Sequence, residues 1–125
     1  MARIVPDPAA YMIEYNDGTR ATLLMLNGAL ADYDLAVKVK GRPDPLSMQF
    51  LLPPTPNVAY SAPLMDYVAR MIETGRAAYP VERTLLVSGV LESCLDSRTN
   101  GEKPLDTPHL DVRYESPRES LFART

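Results

Sequence analysis

Four β-rich stretches occupy the first half of the chain, the last two with apolar/polar alternation, and the period lengthens to that of a helix in the second half. Residues 11–16 (YMIEYN) and 19–27 (TRATLLMLN) flank Asp17-Gly18, a dipeptide suited to a two-residue type I′ hairpin because both central positions need φ > 0. In that register Tyr15 opposes Arg20, Ile13 opposes Thr22 and Tyr11 opposes Leu24, which puts these residues on one face. Met12, Glu14, Ala21, Leu23 and Met25 take the other. Leu23-Leu24-Met25-Leu26 is apolar at every position, so both faces of this hairpin call for cover.

A third run alternates Tyr33, Leu35, Val37 and Val39 with Asp34, Ala36, Lys38 and Lys40, which gives it one wet side. After the turn-rich Gly41-Arg42-Pro43-Asp44-Pro45, a fourth alternates Leu46, Met48, Phe50 and Leu52 with Ser47 and Gln49 up to Pro53-Pro54. Four strands joined by short breaks predict an antiparallel meander.

The helical period begins at Ser61, an N-cap residue type, with Pro63 in the first turn. Leu64, Val68, Met71 and Ile72 share a face, Asp66, Arg70 and Glu73 lie opposite, and Gly75 is the expected stop. A second helix is predicted over 80–98, opened by Pro80 and closed by Asn100-Gly101. Its apolar arc (Val81, Leu86, Val87, Val90, Leu91, Cys94, Leu95) exceeds half the circumference, so the helix must be covered on more than one side. Glu82, Glu92 and Asp96 form a narrow acidic stripe, which reads as a solvated face. Leu110, Val112 and Tyr114 alternate with His109, Asp111 and Arg113, the pattern of a fifth strand before a polar tail. The expected architecture is α+β: a mostly antiparallel open sheet of about five strands, with two helices packed on one face, in a single domain over residues 1–125.

Composition narrows the functional classes. A chain of 125 residues, 46% hydrophobic and 23% charged, has ordinary globular balance, and its formal charge of −3 gives no positive field for nucleic acid or anionic membrane. The single cysteine, Cys94, excludes an internal disulfide and suits a reducing compartment. With no long apolar span and no apolar leader in residues 1–8, the expectation is a cytoplasmic protein. The 12 prolines cluster at junctions, so they punctuate elements and do not form a ligand tract.

Candidate chemistry is sparse. His109 and Asp111, with Asp106 nearby, are too few for a metal site, which needs three or four ligands, and a cap or a pairing with Arg113 explains them better. Ser88 and Ser93 sit in the second helix without a G-x-S-x-G elbow, and close packing accounts for small residues there. Tyr11, Tyr15 and Tyr33 on strands fit core or interface positions better than a ligand pocket. No catalytic, cofactor-binding or metal residues are therefore assigned. Tyr11, Ile13, Tyr15, Thr22, Leu24 and Leu26 are assigned to a sheet-face interface.

The succession of a β-meander, APLMDYVARMIETG, YPVERTLLVSGVLESCLDSR, a Gly-containing break and TPHLDVRY resembles the C-terminal domain of the Gfo/Idh/MocA family of NAD(P)-dependent oxidoreductases, over residues 11–114. The resemblance implies an open sheet whose free face meets another subunit, so a homo-oligomer or a Rossmann domain is the expected partner. It implies a role in completing a sugar or polyol pocket. NAD or NADP is implied only for a full-length parent, since this chain has no G-x-G-x-x-G and no βαβ unit. The family's catalytic lysine is not carried onto Lys103: Glu102-Lys103-Pro104 matches its tripeptide in letters but falls after the last helix, and no histidine motif matches. The alternative is a stand-alone α+β dimerisation or ligand-binding module without catalysis.

Overall fold

The computed structural model describes residues 5–50 and 58–117. The chain is α+β, with two antiparallel hairpins followed by two helices, and it divides into two units, Met1–Tyr60 and Ser61–Thr125. In the first unit β1 (Ala9–Glu14) pairs with β2 (Arg20–Met25), and β3 (Tyr33–Val37) pairs with β4 (Leu46–Phe50). These are separate two-stranded sheets, where alternation alone predicts one sheet of about five strands. The expected end of the fourth strand at Leu52, with its Pro53-Pro54 stop, lies outside the described residues, as does the polar tail beyond 117.

The first hairpin turns through three residues, not two. Tyr15 N–H donates to Thr19 C=O (2.8 Å) and Gly18 N–H to Tyr15 C=O (2.9 Å), with Asn16, Asp17 and Gly18 between them. Of these three only Gly18 has positive φ, at 82°. This is a type I turn closed by a left-handed glycine, the common three-residue alternative to type I′. It spares Asp17 the left-handed conformation, and the Asp17 carboxylate instead accepts from Thr19 N–H at 2.8 Å.

That one extra loop residue moves the register by one. Tyr11 now faces Leu23, Ile13 faces Ala21 and Ala9 faces Met25, while Ala10 faces Leu24, Met12 faces Thr22 and Glu14 faces Arg20. Along β1 the Ala9, Tyr11 and Ile13 side is half-buried, and the Ala10, Met12 and Glu14 side is open, Met12 at 88%. The second hairpin keeps its expected alternation. Tyr33–Phe50, Leu35–Met48 and Val37–Leu46 stack on one face, with Asp34–Gln49 and Ala36–Ser47 on the other.

The first helix, α1 (Val58–Thr74), begins before Ser61 and runs into the second unit, so Pro63 lies inside the helix and not in its first turn. The bond from position 63 to the Ala59 carbonyl is therefore missing. Gly75 ends α1 as expected, its N–H donating to Met71 C=O at 2.9 Å. The Arg70–Asp66 pair at 2.7 Å spans one exposed turn and contributes about 0.3–0.5 kcal/mol.

The second helix, α2 (Val81–Thr99), matches its predicted limits closely. Pro80, at φ −62° and ψ 145°, sets its start. At its end Gly101 takes φ 81° and Glu102 N–H reaches back to Ser97 C=O at 2.7 Å, the six-to-one bond of a Schellman cap. Ser97 Oγ donates to Lys103 C=O, also at 2.7 Å, so one serine holds both sides of the reversal.

The reversed chain does not form a fifth strand. Pro108–Leu110 is a short 3₁₀ turn packed on α2, and an inverse γ-turn follows at Asp111 (φ −74°, ψ 67°), with Val112 N–H donating to Leu110 C=O at 2.8 Å. Leu110, 7% exposed, sits on Gly89, the buried residue of α2. A Cβ at Gly89 would lie 3.2 Å from Leu110 Cγ and would overlap Cδ2, so the leucine could not keep this position against any larger residue. Among the described residues the other buried hydrophobic is Val5, at 3%.

Candidate functional site

The six residues assigned from sequence to one sheet face do not share one. Tyr11, Ile13 and Tyr15 lie on the half-buried side of the first hairpin, while Thr22 and Leu24 lie on the open side with Met12, because the register is one residue from that of a type I′ loop. Leu26 follows β2 and is half-buried, its carbonyl accepting from Ala29 N–H at 3.0 Å. Tyr33 belongs to the other hairpin, opposite Phe50.

Among the described residues the face of β3 and β4 is an uncovered apolar surface. Tyr33, Leu35, Val37, Leu46, Met48 and Phe50 are each between 41% and 63% exposed, on a ribbon whose reverse is polar. The arc of α2 is split. One side, from Leu86 through Gly89, Val90, Ser93 and Ser97, is buried or half-buried and includes the seat of Leu110; the neighbouring side, Val87, Leu91 and Leu95, is open. The expected cover on more than one side is therefore half supplied. On α1, Leu64, Met71 and Ile72 are also exposed.

His109 and Asp111 lie in consecutive tight turns, which corrects their expected place on a strand. Among the described residues no group of three or more His, Cys, Asp or Glu could hold a metal ion, and no helix is long and apolar enough to cross a membrane. Cys94 is half-buried on α2, and burial pushes its thiol pKa up, away from a reactive thiolate. In the acidic stripe Glu82 is half-buried, while Glu92 and Asp96 are exposed. Ser88 and Ser93 face different sides of α2, Ser93 towards the Gly89 stripe and Ser88 towards solvent.

A hollow of about 180 Å³ lies over the first turns of α2, lined by Tyr79, Arg83, Thr84, Val87 and Ser88. Pro80 holds Tyr79 just outside the helix, and the Arg83 guanidinium carbon lies 4.4 Å from the Tyr79 ring centroid. Among the described residues Arg83 has no carboxylate partner, and the Thr84 and Ser88 hydroxyls have no protein acceptor. Sequence reasoning missed this cluster. Its signal is Tyr79–Arg83 and Thr84–Ser88, two pairs spaced by four residues around a helix start. Compared with known proteins, the chain matches no family model, no curated protein and no solved structure.

Proposed function

We propose that the chain is a non-catalytic association domain, of the kind that forms the C-terminal half of a Gfo/Idh/MocA oxidoreductase. It supplies a substrate-side surface and a subunit contact, while hydride chemistry and NAD(P) binding belong to a Rossmann partner in the same cytoplasmic assembly. The observation that carries it is the six-residue apolar face of β3 and β4, which stands open to solvent on an isolated two-stranded ribbon. Such a ribbon is marginal in water, and an open apolar patch of this kind marks an interaction surface. The absence of any phosphate-cradling glycine turn in the sequence supports the division of labour.

Mass in solution tests the association. The wild-type chain should sediment above 13.8 kDa, and Leu24→Glu or Leu35→Glu, with folding checked by circular dichroism, should return it towards a monomer. A wild-type monomer at all concentrations would overturn the proposal. Titration with NAD or NADP should leave the melting temperature unchanged, because neither is held by this chain alone; a rise would show a nucleotide site in it.

A further inference from the structure

We propose that the hollow lined by Tyr79, Arg83, Thr84, Val87 and Ser88 binds a small oxyanion, the carboxylate or phosphate group of a small molecule. This site does not depend on the family reading. Four side chains that can donate hydrogen bonds, Tyr79, Arg83, Thr84 and Ser88, line one hollow, and no acidic residue lines it. Arg83 is permanently cationic, so the lining favours an anion and disfavours a cation.

The geometry suits such a group in three ways. Stacking on Tyr79 at 4.4 Å engages the flat face of the guanidinium, and an arginine held by its face offers its N–H edge to a coplanar acceptor. Thr84 and Ser88 stand one turn apart on the same side of α2, and neither hydroxyl has a protein acceptor among the described residues, although helical Ser and Thr commonly return theirs to the carbonyl four residues back. The hollow, about 180 Å³ and open to solvent, has room for a phosphate or a carboxylate on a short carbon chain. Val87 supplies an apolar wall for that short chain.

The test is an amide-resolved NMR titration of the full chain with sodium phosphate, and separately with sodium acetate, at ionic strength held constant with sodium chloride. The expected result is saturable shifts centred on residues 79–88, with half-saturation in the millimolar range. Arg83→Gln should weaken binding about tenfold or more, and Thr84→Val with Ser88→Ala several-fold. Tighter phosphate than acetate identifies a phosphate group as the natural ligand feature, and the reverse order a carboxylate. Shifts that never saturate in either arm, or unchanged binding by Arg83→Gln, overturn the proposal. Should Arg83→Gln lose its dispersed spectrum, the double hydroxyl variant decides: unchanged affinity there also overturns it.

Discussion

Replacing Gly89 by alanine sets two known effects against each other at one atom. In a solvated helix the change is favourable by about 1 kcal/mol, because alanine loses less backbone entropy than glycine. Here the new methyl would overlap Leu110 Cδ2 and would lie 3.1 Å from Cδ1 and 3.2 Å from Cγ. Rotation about χ2 moves both Cδ atoms but leaves Cγ in place, so relief also requires Leu110 and the 108–110 turn to give by a few tenths of an ångström, which loosens the leucine's seat on α2. Unseating a leucine that is 7% exposed forfeits about 1.5–3 kcal/mol of burial. The burial loss wins, and Gly89→Ala should destabilise the return segment by about 0.5–2 kcal/mol.

The sign should reverse when the leucine is removed. In a Leu110→Ala background the alanine at 89 has room, so adding it should restore stability by about 1 kcal/mol. The two positions are then coupled by about 2 kcal/mol, well above the scatter expected of independent sites. Native-state hydrogen exchange of the α2 amides reads local opening free energies directly, whatever the rest of the chain does. Equal stabilisation by Gly89→Ala in both backgrounds would refute the seating of Leu110 on Gly89.

Three further outcomes follow from the same contacts. Hydrogen bonding from Thr19 holds the Asp17 carboxyl below the usual range, so its contribution to the hairpin is fully present above about pH 4 and lost as pH falls through the lowered folded value; Asp17→Asn should remove that acid dependence from the hairpin NMR shifts. Ser97→Ala deletes the bond to Lys103 C=O and should cost about 0.5–1.5 kcal/mol, read as faster exchange at residues 99–103 with little change at the start of α2. If a second chain covers the open apolar face, the melting temperature should rise with protein concentration, and a concentration-independent value would count against association.

What the sequence makes legible here is the existence of most elements and the limits of α2, and what it hides is pairing. Pro80 and Asn100-Gly101 delimit α2 because fixed φ and the left-handed cap are local requirements. Asp17-Gly18 announces a hairpin but serves two loop lengths, and a side-chain bond from Asp17 to the next strand accompanies the longer one. Ser61 and Pro63 look like a helix start, yet α1 extends upstream of both, since a helix can forgo the single bond that proline removes when its neighbours hold the turn. The Tyr79–Arg83 stack escaped notice because Tyr79 lies outside the helix that carries its partner.

The missing fifth strand shows the limit of alternation as a signal. Leu110 is buried and Val112 and Tyr114 half-buried, while His109, Asp111 and Arg113 are exposed, so the period-two pattern is physically real. It reports one-sided burial of an extended chain, and nothing in it specifies a hydrogen-bonded neighbour. Here the turn bonds and the seat on Gly89 hold the segment, with a helix as the inner surface. The first unit makes the complementary point: β3 and β4 have a correct ladder and a fully amphipathic pattern, yet their apolar face is open. Backbone pairing and apolar cover are separate requirements, and a sequence can encode the first locally while leaving the second to a surface supplied from elsewhere. The association proposed for this chain rests on that separation.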